Sequence, residues 1–285
     1  MAAAGHPGQP GRMTDLSCAQ VSIVDHVAEV ALTATGKGQR MGPAYWQEMP
    51  RLFEQLDEDA AVRAVLLHTA GDNFSYGLDL AGMGPSLIEL TAPDARAAVR
   101  TRLLGMIKRM QRTHNAVAAC RKPVVAALHG WCVGGGVDLI TACDIRLASS
   151  DARFSVREVK MAIVPDVGTL ARLPAIIGQG AARELAFTGD DIDAARALAL
   201  GLVNAVHPTR DDLLREARAM VRRIADNPPL TVQGVKQVMN FTSEREAALG
   251  LDAVALWNSA FFPSEDLQEA IAAFMEKRAP KFRGA

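Results

Sequence analysis

The run HGWCVGGGVDLITACD, residues 129–144, sets three consecutive glycines between an apolar stretch and a helical one. Glycine costs roughly 1 kcal/mol relative to alanine inside a helix. Three of them at a helix start therefore mark a backbone that a Cβ would obstruct. The preceding KPVVAALHG (122–130) reads as a buried strand. A second segment has the same design: VRAVLLHTA (62–70) is a β-rich run that enters the polar, glycine-bearing GDNFSYGLDLAGM (71–83). Leu66–Gly77 and Val124–Gly136 are thus two buried strands ending in glycines, with the next element's backbone N–H groups exposed. Such N–H groups, at the positive end of a helix dipole, bind an anion or a carbonyl oxygen becoming one. Taken alone, the triplet is explained as well by close helix–strand packing.

The rest of the chain frames these segments. VSIVDHVAEVALT (21–33) predicts a hairpin. Residues 42–59 carry Trp46, Met49, Leu52, Phe53 and Leu56 at helical spacing, and 94–119 carry Leu103, Leu104, Ile107 and Met110 on one side. Short strands are predicted at 145–150 and 152–156, with helix resuming after Pro165. Strands alternating with helices make an α/β protein. From about Asp190 the text turns helical, with Pro, Asn and Gly stops. The organisation read from this is a disordered tail at 1–13, rich in Gly, Pro and Ala, an α/β core at 14–206 and a helical lobe at 207–285.

Composition narrows the function classes. With 285 residues, 31 basic and 32 acidic, the chain has a formal charge of −1 and no field that favours nucleic acid or anionic lipid. The N-terminus has no signal-peptide or transit-peptide character, and no apolar run is long enough to span a membrane. Cys18, Cys120, Cys132 and Cys143 lack metal-site or CxxC spacing. They read as small core residues, which suits a reducing cytoplasm. A cytoplasmic protein is the expectation.

Three carboxylates stand near the glycine segments: Asp138 beside the triplet, Glu158 in FSVREVKM and Asp166 in IVPDVGT. Glu158 and Asp166 lie among Val156, Val159, Met161, Ile163 and Val164. Apolar surroundings raise a carboxyl pKa, which is how acid–base pairs are tuned near neutrality. Any one of them is most simply a surface group or a cap; three together ask for more. His129 reads as structural, GKGQR (36–40) is not a P-loop, and Arg121, Lys122 and the cations of 277–283 read as solvated charges.

FSYGLDL (74–80), PVVAALHGWCVGGGVDLITACDIRLAS (123–149), ARFSVREVKMAIVPDVGTLARLP (152–174) and FMEKRAPKFRG (274–284) together resemble the enoyl-CoA hydratase/isomerase, or crotonase, superfamily. The resemblance implies a spiral of ββα units with a C-terminal helical lobe for trimerisation, giving a homotrimer or a hexamer. It implies an acyl-CoA substrate, no cofactor beyond the coenzyme A which that substrate carries, and no nucleic-acid or membrane partner. The thioester oxygen would sit between the N–H groups of Leu78 and Gly135, with Ser75, Tyr76, Gly77, Asp79, Gly134 and Gly136 also lining the substrate. Hydratases of the superfamily carry glutamates at the positions of Asp138 and Glu158, and usually a glycine at that of Asp166. The set Asp138, Glu158 and Asp166 instead resembles the Δ(3,5),Δ(2,4)-dienoyl-CoA isomerase branch. That branch implies a base near C2 and an acid near C6. A 2-enoyl-CoA hydratase using Glu158 with Asp138, or a non-catalytic binding protein on the same fold, are the alternatives.

Overall fold

The computed structural model describes residues 16–33, 38–84, 97–261 and 264–284. The expected tail at 1–13 lies outside them. Strands β1 (Ala19–Val24) and β2 (Val27–Leu32) form the antiparallel hairpin. They turn on Asp25 and His26, both at positive φ, as a two-residue hairpin loop of matching twist requires. Strand β3 (Arg40–Met41) leads into helix α1 (Pro43–Glu58). This helix buries Met49, Leu52, Phe53 and Leu56 as its spacing predicts. Trp46 is half-buried, its indole N–H donating to the Met41 carbonyl at 2.9 Å.

Strand β4 (Ala64–Thr69) is followed by the short β5 (Gly77–Leu78), and helix α2 (Ala97–Ala119) by β6 (Val124–Leu128), β7 (Trp131–Val133) and helix α3 (Gly135–Thr141). Next come β8 (Ile145–Ser149), β9 (Arg153–Ser155), a 3-10 turn at Glu158–Met161, α4 (Thr169–Ile177) and α5 (Gln179–Thr188). Residues 191–193, read from the sequence as part of a helical run, are strand β10 (Asp191–Asp193), antiparallel to β9. Asp193 then caps α6 (Ala194–Leu200) by accepting the Arg196 N–H, so the helix begins later than its composition suggested. Strand β11 (Ala205–His207), α7 (Arg210–Ala225), α8 (Pro229–Phe261) and α9 (Glu265–Glu276) complete the chain.

The main sheet runs β1-β2-β4-β6-β8-β11, parallel throughout except for the hairpin. Parallel strands must be covered on both faces. One face packs with α1, the end of α2 and α3 through Phe53, Val65, Leu67, Val117, Ala126 and Leu139. The other packs on α7, where Leu213, Ala217, Val221 and Ala225 meet Leu66, Val125 and Leu147. Burying Leu213 alone contributes roughly 1.5–3 kcal/mol. Helix α7 falls in the span read as the helical lobe, and it closes the second face of the sheet. Two smaller sheets, β10-β9-β7 and β3-β5, carry the glycine loops. Among the described residues no helix is long and apolar enough to cross a membrane.

Candidate active site

The glycine loops meet backbone to backbone. Ser75 and Cys132 form a parallel bridge, in which the Ser75 N–H donates to Trp131 O at 2.9 Å and the Val133 N–H to Ser75 O at 2.8 Å. A Cβ on Gly77 would lie 2.9 Å from the nitrogen of Gly135, and Gly77 has φ +75°, so no side chain fits there. A Cβ on Gly135 would stand 3.0 Å from Met41 Sδ and 3.4 Å from Gly77 Cα. Gly134, at φ +54°, spends its N–H on Ser155 O, which leaves Gly135 to head α3. The Gly135 N–H has no acceptor within the helix. The Asp79 N–H donates to Met41 O, so strand alternation turns the Leu78 N–H away from β3. Of the other residues expected here, Ser75 builds the loop, its Oγ donating to Gln39 O at 2.9 Å and accepting the Gly77 N–H at 3.0 Å. Gly136 packs against Ser75, Tyr76 is exposed beside Trp131, and Asp79 is half-buried.

The three carboxylates lie within electrostatic reach of one another. Asp138, in the first turn of α3, is 1 % exposed. Its Oδ1 accepts the Thr169 N–H at 2.6 Å and so caps α4; burial pushes its carboxyl up to about 6. Glu158 heads the 3-10 turn with its carboxyl over Gly134, where a Cβ would come within 3.3 Å of Oε1. Although the residue as a whole is only half-buried, its Oε2 is shut off from solvent and has no hydrogen-bond partner. Burial raises this carboxyl well above the usual range, and the charges of Asp138 and Asp166 add to the effect. Burial likewise pushes Asp166 up to about 7, with Asp138 adding, against the opposing pull of a hydrogen bond from Asn258. Raised carboxyls gathered in one cluster are the signature of proton-transfer chemistry.

Sequence reading missed the residues that hold this cluster. Asn258 of α8 donates to Asp166 Oδ2 at 2.8 Å, and Gln111 of α2 donates to Asp166 O at 2.8 Å. His114, buried and held neutral by burial down to about 3, takes the Val167 carbonyl and the Tyr45 hydroxyl as its partners. Arg172 lies beside Asp138 and makes a two-pronged pair with Glu244, at 3.0 and 2.7 Å. A signal existed: Gln111 and His114 are polar residues inside the apolar stripe of α2, as Asn258 is inside the stripe of Leu251 and Ala255. His129 is structural as read, its Nε2 on Gly71 O at 2.7 Å. Lys122 is a correction. It is buried rather than solvated, because the chain packs it beneath Lys236, whose Nζ donates to the Lys122 carbonyl. Arg121 and Arg278 are exposed but paired, with Asp57 and with Glu269 and Glu276.

The enoyl-CoA hydratase/isomerase family profile matches residues 25–285. A mitochondrial Delta(3,5)-Delta(2,4)-dienoyl-CoA isomerase of Dictyostelium discoideum is 42% identical over 257 residues, 90% of this chain and 87% of that protein. A peroxisomal one of Arabidopsis thaliana is 42% identical over 238 residues, 84% of this chain and 86% of that protein. The crystal structure of an enoyl-CoA hydratase from Mycobacterium avium subsp. paratuberculosis superposes with a TM-score of 0.81 at 26% identity, covering 94% of this chain and all of that one. The mitochondrial and peroxisomal relatives overturn the cytoplasmic expectation. The cysteine argument behind it carried no compartment information. Burial pushes Cys18 and Cys143 up to about 12 and Cys120 up to about 11, so these thiols stay protonated and inert in any compartment.

Proposed function

The chain belongs to the enoyl-CoA hydratase/isomerase family, and from that premise we propose that it converts 3,5-dienoyl-CoA to 2,4-dienoyl-CoA in the β-oxidation of unsaturated fatty acids. The thioester oxygen lies between the N–H groups of Leu78 and Gly135, which take up charge as the C2 proton leaves. Glu158 receives that proton. Charge then spreads over the conjugated system, and Asp166 gives a proton to C6, so both double bonds move by one position with no net change in atoms. Exchange with solvent returns a proton to Asp166 and removes one from Glu158. Coenzyme A belongs to the substrate, and no further cofactor takes part.

One observation carries the choice of isomerase over hydratase. Asp138, which would have to share a water with Glu158 in a hydratase, commits Oδ1 to the Thr169 N–H, while Asp166 provides a second, half-buried carboxyl raised to about 7. The test offers purified protein 3,5-dienoyl-CoA and 2-enoyl-CoA separately. A rise in conjugated 2,4-diene absorbance is expected from the first and little hydration from the second; dominant hydration without diene would overturn the reading.

The assembly is a homotrimer or a pair of trimers. Helix α8 leaves Val235, Val238, Met239, Phe241 and Leu249 more than half exposed, an apolar row that a neighbouring chain would cover.

A further inference from the structure

Two buried amides from different helices bracket the turn that carries Asp166. Asn258, 3 % exposed, donates from Nδ2 to Val164 O at 2.8 Å and to Asp166 Oδ2 at 2.8 Å. Gln111, 2 % exposed, donates from Nε2 to Asp166 O at 2.8 Å and to Leu251 O at 2.9 Å. The carbonyl of Val164 can only accept, which fixes the Asn258 amide with its nitrogen toward the turn. Glu158 differs, because its Oε2 is buried with no donor at all.

We infer that Asn258 is a positioning residue for Asp166, the proton donor of the reaction. Its N–H holds the carboxyl in one orientation and stabilises the carboxylate that remains once the proton has gone to C6. A carboxyl whose anion is hydrogen-bonded is the stronger acid. This inference rests on the isomerase reading for the identity of the acceptor carbon. It rests on geometry alone for the coupling of Asn258 to Asp166.

The other groups around Asp166 act in the opposite sense or on the backbone. Asp138 of α3 and Glu158 of the 3-10 turn are like charges; Gln111 and the neutral His114 of α2 bind the backbone of 166 and 167. From α4, Arg172 reaches Asp138. Among these groups it is Asn258 whose side chain donates to the Asp166 carboxyl.

The experiment compares wild type, Asn258→Leu and Asn258→Asp, checked for native fold by circular dichroism. Asp166 requires its proton to act, so activity falls as pH rises through its titration, near 7 in the wild type. Removing the donor raises that titration, and the alkaline limb of kcat moves up by about one pH unit in Asn258→Leu. It moves further in Asn258→Asp, which keeps the shape but adds a like charge. At neutral pH kcat falls about tenfold in Asn258→Leu with KM little changed, the cost of one lost hydrogen bond in the transition state. Carboxyl NMR of protein labelled at aspartate reads the same titration without substrate. An unmoved limb and an unmoved Asp166 titration in the folded variants would overturn the inference, since a packing role shifts neither. A wild type that fails to isomerise removes the function reading, and the NMR titration then decides the Asn258–Asp166 coupling by itself.

Discussion

The two sides of this site are built from different materials. The side that receives the thioester oxygen is made of backbone: Gly77 and Gly135 touch each other, and their loops are stitched by main-chain hydrogen bonds. The side that moves protons is made of side chains from three separate segments, tuned by partners on helices far along the chain. A backbone site is rigid and tolerates no added atom, whereas a side-chain site is adjustable one hydrogen bond at a time. The first kind sets what the fold can bind. The second sets which reaction follows.

The largest effect expected from altering either side is at Glu158. Glu158→Gln keeps shape but cannot take a proton, so isomerisation and C2 exchange with deuterated solvent fall by roughly 10²–10⁴ while acyl-CoA binding holds. C2 exchange by NMR beside a binding titration checks this. Binding without exchange in the wild type would instead favour a non-catalytic protein, and exchange surviving in the variant would move the base to Asp138.

Gly135→Val attacks the backbone side. Its Cβ already meets Met41 Sδ at 3.0 Å, and the added methyls push the Gly77 loop away. Loss of one oxyanion donor costs about 10²–10³ in kcat. Near-normal turnover by the folded variant would show that this loop does not hold the thioester.

Asp166→Asn sharpens the comparison through stability. It lowers isomerisation by about 10²-fold, because an amide cannot give up the proton, and leaves any weak hydration intact. A carboxyl raised from 3.8 to about 7 makes the native state lose stability as pH rises between those values, since the folded chain holds its proton more tightly than the unfolded one. The variant should therefore melt a few degrees above wild type at about pH 8, with the difference closing below about pH 4. Melting curves across pH measure it, and equal melting temperatures at high pH would mean that Asp166 is not held in a dry site.

The smallest effect on the chemistry is expected on the exposed row of α8. Met239→Glu on the exposed row of α8 should dissociate the assembly, as seen by sedimentation, while kcat per chain changes less than about tenfold. An unchanged assembly would show that this row is not its interface.

Much of the backbone side was legible in the sequence. A glycine at positive φ, or one whose Cβ would strike the facing chain, admits no other residue, so the need is written in the local text at Gly77 and Gly134–Gly136. The alternation of strands and helices was equally local. So were the identities of Asp138, Glu158 and Asp166, although their partners were not. Asp138 by itself read as a surface group or a cap, and it caps α4 through Thr169, a residue 31 positions away. Lys122 read as a solvated charge and lies under α8. Only the tertiary structure brings Gln111 and Asn258 to either side of Asp166, from 55 positions before it and 92 after. A buried amide in a helical stripe announces that it needs a partner. Which partner it finds depends on how α2 and α8 cross, and that crossing is decided by packing over the whole fold rather than by the residues next to the amide.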